Sequence, residues 1–402
     1  MIAPLPMKIV IAPDKFKGSL PAFEAAAALA RGFRRIWPTA EIACCPIADG
    51  GEGTARALCD ALGGEWITRR VRGPLGVPVE AGYAWIPGAE VPTAVIEMSA
   101  ASGLVLIPEE ARRPREANTF GTGELMHDAM NRGARRIVVG LGGSATTDGG
   151  AGMAAALGYD FLTSDGEPME QPAPCNLLAL ERIENINVPD LPEVIAACDV
   201  QNPLLGPRGT ARVFAPQKGA DARDVEAMEM ALEHLAELAK HDLELEHGFE
   251  ETPGAGAAGG LGFGLLTFCN AKIRPGFDLV AETLGLEEAI RSADLVVTAE
   301  GSLDTQTLDG KGPAGVAAMA RRHGKPVIAF GGRVALETGL AEIFDATVPI
   351  TNAPMPLDEA IVRAASLLEE AAARAAACCQ LGMALGMGLG NRAEAGTDVR
   401  LG

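Results

Sequence analysis

The sequence predicts an α/β protein of two domains: a Rossmann-like parallel-sheet domain with a second, mixed α/β domain inserted into it. Three observations carry that expectation. Short β-rich runs alternate with Ala-rich helical segments at both chain ends. From about residue 66 to 98 the texture changes to Val, Thr, Tyr and Trp runs broken by Pro74-Leu-Gly76 and Pro87-Gly88, which are hairpin signals. The chain has 402 residues, a length that favours two domains. The expected boundaries are 1–64 with 288–380 for the Rossmann-like domain and 65–287 for the insertion, followed by a disordered Gly-rich tail at 381–402. Ligands are expected in the cleft between the domains.

Residues 8–12 (KIVIA) predict a strand, Ser19 an N-cap, and the Ala-rich stretch after it a helix ending at Trp37-Pro38. Residues 42–47 predict a second strand, which runs into Asp49-Gly-Gly-Glu-Gly-Thr54 and a helix stopped by Gly63-Gly64. That beginning calls for parallel strands with right-handed crossovers. Inside the insertion, residues 136–141 (RIVVGL) lead to a glycine loop and a small-residue helix, and 194–198 lead to Asp199-Val-Gln-Asn-Pro. The stretch 221–251 holds eleven Asp and Glu against Arg223 and Lys240, with Val225, Met228, Leu232, Leu235 and Leu238 at helical spacing. It reads as a surface helix with one packed stripe and a solvated acidic face. Runs at 294–298, 326–330 and 346–350, with a helix at 313–323, restore the opening rhythm, and a final helix starts near Leu357.

Composition excludes several classes. With 48 % hydrophobic and 22 % charged residues the chain can bury a core, so disorder is excluded as its main state. Thirty-four basic against 53 acidic side chains give a net charge of −19, which argues against nucleic-acid or anionic-membrane partners. No basic-then-apolar leader opens the chain, and 375–391 is too weakly apolar to cross a bilayer. None of the eight cysteines forms a C-x-x-C pair or has zinc spacing, which suits reduced residues in a cytoplasmic protein. Forty-nine glycines, against a usual share of ~7 %, imply backbone brought close to a ligand.

Five loops at predicted strand ends carry charge or hydroxyls among glycines. Gly140-Leu-Gly-Gly-Ser-Ala-Thr-Thr-Asp-Gly-Gly150 leaves a strand and enters a helix, so its amides can face an anion. Ser144, Thr146 and Thr147 add hydroxyls, and Asp148 could hold magnesium near phosphate oxygens; a capped tight turn is an equal reading. Asp49-Gly-Gly-Glu-Gly-Thr54 offers two carboxylates to substrate hydroxyls or metal-bound water, with Asp49 as a plain N-cap the rival. Asp199 and Asn202 stand at a strand's carboxyl end, where open sheets bind ligands, although an Asx-Pro turn needs no function. Glu300, Asp304 and Lys311 form a charged loop, with Lys311 suited to a phosphate or carboxylate. Asp14-Lys-Phe-Lys17-Gly18 offers two cations. There is no G-x-x-x-x-G-K-[ST] or G-x-S-x-G string, and Gly254-x-Gly256-x-x-Gly259 follows an acidic loop and not a strand. Together the loops suggest phosphoryl transfer to a small polyhydroxy acid.

From Lys8 to about 375 the chain closely resembles the type 1 glycerate kinase family. The motifs that carry the resemblance are APDKFKGSL (12–20), ADGGEGT (48–54), EMSAASGL (97–104), FGTGEL (120–125), GLGGSATTDGGAG (140–152), CDVQNPLLGPRGTARVFAPQKGA (198–220), GAGAAGGLGFG (254–264) and DTQTLDGKGPAGVA (304–317). The resemblance implies an ATP- and Mg²⁺-dependent kinase that makes 2-phosphoglycerate from D-glycerate. It assigns Gly142, Gly143, Ser144, Thr146, Thr147 and Gly149, with Lys311, to the nucleotide phosphates. Asp49, Gly50, Gly51, Glu52 and Asn202, with Lys17, fall to the substrate, Asp199 to the general base, and Asp148, Glu300 or Asp304 to the metal. Lys17 and Lys311 count with Asp199 as catalytic. The implied partners are glycerate and a nucleotide, with a homodimer left open. Departures from the family pattern are Lys15 for a serine, and TAEGS, with Ala299 and Ser302, for TGEGR; Lys15 or Arg333 could replace the missing arginine. Two rivals remain at this stage: an NAD-dependent hydroxy-acid oxidoreductase and a non-catalytic sugar-acid-binding regulator.

Overall fold

The computed structural model describes residues 6–47, 51, 53–309, 312–335 and 339–395. In chain order the strands are β1 (Lys8–Ile11), β2 (Glu41–Cys44), β3 (Glu65–Arg72), β4 (Pro78–Ile86), β5 (Thr93–Glu97), β6 (Arg136–Gly140), β7 (Asp160–Thr163), β8 (Leu180–Glu184), β9 (Glu193–Ala197), β10 (Lys272–Arg274), β11 (Leu295–Leu303), β12 (Val327–Val334) and β13 (Ala346–Pro349). They fall into two compact units, 1–48 with 281–402, and 49–280.

The first unit holds a sheet of order β13-β12-β11-β1-β2, parallel throughout. Ile9, Val10 and Ile11 are all buried because β1 lies inside the sheet, where both faces are covered. Strand order reverses between β1 and β11, so their carboxyl ends flank a switch point of the kind that holds ligands in open parallel sheets. The first helix, Ala22–Ile36, starts after Pro21 and not at Ser19. A tight turn, closed by the Phe16–Leu20 bridge, keeps Ser19 short of the helix, and its hydroxyl donates to the Ile361 carbonyl at 2.9 Å.

That helix packs against Ala364–Ala395 through alanine and glycine. A Cβ on Gly32 would stand 2.3 Å from the Glu369 carbonyl oxygen, so only glycine permits this helix spacing. The C-terminal helix runs on to Ala395, past position 380 where the sequence suggested disorder. Its Ala, Leu and Met positions are good helix formers that outweigh the interspersed glycines. No helix among the described residues is long and apolar enough to cross a membrane.

The second unit holds a mixed sheet of order β10-β9-β6-β5-β4-β3, antiparallel across β3, β4 and β5 and parallel from β5 to β10. The turn signal at Pro74–Gly76 closes the β3–β4 hairpin, with the Gly73 amide donating to Val77. Helix Thr54–Ala61, which the sequence grouped with the first domain, lies in this unit. It is held there because Glu97, at the end of β5, accepts from the Ala55 amide at 2.7 Å and so caps its N-terminus. The acidic segment forms helix Ala222–Asp242, opened by an Asp221–Asp224 capping box, with Met228, Leu232 and Leu235 buried, Glu226, Glu233 and Glu237 exposed, and Glu229 turned in to accept from the Gly206 amide.

Gly32→Ala should destabilise the chain by about 1–3 kcal/mol, because the new methyl meets backbone that cannot step aside without separating the helices. Urea unfolding checks it, and an unchanged midpoint would show that the helices part at no cost.

Candidate active site

The loop after β6 is buried from Ser144 to Gly150. Leu141 donates to Ala197 of the neighbouring strand, which starts the loop at the same sheet edge from which Asp199 and Glu97 project. Gly143 accepts from Leu104 and Ala145 donates to Ser102, so residues 102–104 tie the loop down on one side. On the other side lies the glycine-rich segment 254–264. A Cβ on Gly259 would stand 1.7 Å from the Thr146 carbonyl oxygen, and Gly259 accepts from the Gly149 amide at 3.1 Å. The string that resembles a dinucleotide fingerprint is therefore a bed for this loop, with Ala258, Gly259 and Gly260 all in the left-handed region.

Asp148 is fully buried at the base of the loop. One carboxylate oxygen accepts from the Thr119 amide (2.8 Å), the Thr119 hydroxyl (2.7 Å) and the Gly152 amide (3.0 Å). The other accepts a longer bond from Gly150 at 3.4 Å. Burial pushes its carboxyl above the ordinary aspartate value, and the Thr119 and Gly152 bonds pull the other way. Asp148 thus serves protein donors with both carboxylate oxygens. It pins the start of helix Ala151–Ala156 to the start of helix Phe120–Asn131.

Sequence reasoning gave no role to Lys218, which the fold places beneath the same loop. It is 2 % exposed, and Nζ donates to Ser144 Oγ at 2.8 Å and to the Thr146 carbonyl at 2.6 Å. Burial pushes its pKa down to about 7, and the Asp148 charge opposes the fall. Its place in the sequence gave little signal, since it lies more than seventy residues from its partners in a short turn, Pro216–Lys218. Above it, Thr146 and Thr147 are 0 % and 1 % exposed, yet neither hydroxyl has a hydrogen-bond partner.

Of the proposed substrate residues, Asp49, Gly50 and Glu52 lie outside the described residues. Gly51 approaches the loop after β6 closely, for a Cβ on Gly142 would be 3.1 Å from its Cα. Asp199 accepts from the Gly276 amide at 3.0 Å, capping helix Gly276–Thr283, and is part-buried at the end of β9. Asn202 braces its own loop, with Nδ2 donating to the Arg208 carbonyl at 2.7 Å and its carbonyl accepting from Gly256.

Lys17, Glu300 and Asp304 belong to the first unit, at the carboxyl ends of β1 and β11. Asp14, three residues past the end of β1, donates its amide to the Ala299 carbonyl. Burial pushes the Glu300 carboxyl up to about 7; the Thr307 hydroxyl opposes this, while Asp14 and Asp304 add to it. Asp304 accepts from Ser302 Oγ at 2.9 Å, so the serine at the family's arginine position orients a carboxylate. Arg333 stands beside Ser302 in the β11–β12 register, and Lys17 is exposed. Lys311 lies outside the described residues. Among the described residues, no three acidic, histidine or cysteine side chains converge as a metal cage.

Within the second unit, a glycine- and hydroxyl-rich loop closed over a buried lysine has the donor chemistry of an anion site. The glycerate kinase family profile matches residues 9–380, and the chain belongs to that family. It is 46 % identical to a glycerate kinase of Halalkalibacterium halodurans, over 90 % of this chain and 96 % of that one. It is 41 % identical to the glycerate 2-kinase of Escherichia coli K12, over 94 % of this chain and 99 % of that one. A crystal structure of a Salmonella typhimurium LT2 protein assigned as glycerate kinase 2 superposes with a TM-score of 0.85 at 41 % identity, covering 94 % of this chain and 99 % of that one.

The buried lysine has a consequence for stability. Between about pH 7 and its ordinary value of 10.5, the unfolded chain holds a proton on Lys218 that the folded chain lacks. Over that interval this residue makes stability rise with pH. Lys218→Met should remove its share of the slope, so the variant's advantage over wild type in urea midpoint should be larger at pH 7 than at pH 10. A difference that stays constant with pH would mean that Lys218 is charged throughout.

Proposed function

We propose that this protein phosphorylates D-glycerate on its 2-hydroxyl with ATP and Mg²⁺, giving 2-phosphoglycerate. The observation that carries the reading is the pair of partnerless buried hydroxyls, Thr146 and Thr147, in a glycine loop over Lys218, within a chain of the glycerate kinase family. Buried polar atoms are normally paired, so orphaned donors beside a cation fit a phosphate group. In this reading Gly142, Gly143, Ser144, Thr146, Thr147 and Gly149 hold nucleotide phosphates, and Lys17 and Lys311 add point charges. Gly51 and Asn202, with Asp49, Gly50 and Glu52, are the residues assigned to the substrate.

Magnesium usually keeps several waters and binds through one or two carboxylates plus phosphates, so it needs no three-residue cage of the kind missing among the described residues. Glu300 and Asp304, beside Asp14, have the donor chemistry to hold it, because crowded like charges gain from a cation between them. When bound, it would neutralise charge on the phosphate oxygens. The regiochemistry rests on the similarity to the Escherichia coli enzyme and is tested by phosphorus NMR of the product. Coupling to enolase without a mutase serves equally, since only a 2-phosphate product gives a signal.

Glycerate's hydroxyl must lose a proton during transfer, and Asp199 is the carboxylate proposed to orient it and take that proton. Asp199→Asn should lower kcat by about 10²–10⁴, with glycerate KM little changed, because Asn keeps the shape and one acceptor for the Gly276 amide. A deficit that shrinks as Mg²⁺ is raised would make Asp199 a metal ligand. Near-normal turnover would leave it as a helix cap alone.

A further inference from the structure

Lys218 is the one fully buried cation among the described residues, and the mechanism above uses it only as charge. Its geometry says more. Ser144 Oγ accepts from Nζ, so one oxygen lone pair is occupied from inside and the hydroxyl proton is turned away from the lysine. The Thr146 carbonyl also accepts from Nζ, and a trans peptide is planar, so the Thr147 N–H is directed away from Lys218. Two donors of the loop thus take their direction from one side chain that is itself out of a ligand's reach.

We propose that Lys218 is a positioning residue for the anion loop, acting through Ser144 and Thr146 to present the Ser144 hydroxyl and the Thr147 amide as donors to nucleotide phosphate. The inference rests on the nucleotide reading above and extends it to a residue that does not touch the ligand. Because Ser144 sits at 9 % exposure, its hydroxyl lies at the boundary between the buried lysine and the outside of the loop. The depressed pKa is compatible with this role, since a neutral amine still supplies the two donors that the two acceptors need.

The test is a double-mutant cycle on the full chain with Lys218→Met and Ser144→Ala. AMP-PNP binding is followed by calorimetry, and steady-state KM is measured for ATP and for D-glycerate. Wild type is expected to bind AMP-PNP. Lys218→Met should weaken that binding at least tenfold and raise KM for ATP in step, with KM for D-glycerate within about twofold. Ser144→Ala should cost affinity in the wild-type background and almost none in Lys218→Met, since the hydroxyl has already lost its orientation. A thermal melt of each variant shows that it is folded. A variant that fails to fold is replaced by Lys218→Gln, which keeps donors to both acceptors and should restore affinity in part. Fully additive losses, or equal weakening toward both substrates, would overturn the positioning role while leaving the kinase reading intact. A wild-type chain that binds no AMP-PNP would overturn both.

Discussion

The second unit depends on a carboxylate taken out of water. Asp148 has no solvent contact, and an unpaired buried charge is among the costliest things a protein can hold. It is tolerated because Thr119, Gly150 and Gly152 aim donors at it, and because two helices begin beside it with their partially positive ends. Removing the carboxylate would orphan those buried donors, at about 1–3 kcal/mol for each. The carboxylate therefore fixes where the loop ends and where its helix begins, and the residues from Gly142 to Thr147 hang from that point. Lys218, on the inner side, supplies the opposite charge nearby and holds the loop's middle.

Close backbone approach is the second constraint, and it explains the glycines of the 254–264 segment. Gly259 lies against the Thr146 carbonyl, Gly260 against Gly149 and Gly264 against Gly150. Side chains there would push the bed away from the loop, and with it the hydrogen bond from Gly149 to Gly259. The sequence suggested backbone near a ligand; much of the glycine instead brings backbone near backbone. The string Gly254-x-Gly256-x-x-Gly259 is a case in which a familiar pattern arises from packing and not from a cofactor.

Much of the fold was legible because it is written in local patterns. KIVI, RIVVG and the 326–330 run are apolar stretches of strand length, and Asp221 with Asp224 marks a helix start without reference to the rest of the chain. The errors arose where tertiary contacts decide. Helix Thr54–Ala61 belongs with the second unit because Glu97, more than forty residues on, caps it. Ser19 has the chemistry of an N-cap, but the Phe16–Leu20 turn closes before the helix can begin. Neither fact has a local signature.

The site divides in the same way. Loops at strand ends could be found from composition, because glycine, hydroxyl and charge cluster there whatever lies beneath. The role of each side chain could not, since it depends on which neighbours have already claimed its atoms. Asp148 accepts from the amides of Thr119 and Gly152, and Ser302, at the position of a lost arginine, orients Asp304. Lys218 shows the limit most clearly. In a Walker-type loop the lysine is part of the loop and a short pattern finds it. Here the lysine comes from a turn 74 residues beyond Ser144 and reaches the loop from its buried side. A lysine so placed exchanges outward reach for rigidity: its two hydrogen bonds fix the Ser144 hydroxyl and the Thr146 carbonyl in single directions from the buried side, and a loop ordered in advance carries a lower ordering cost in any binding step.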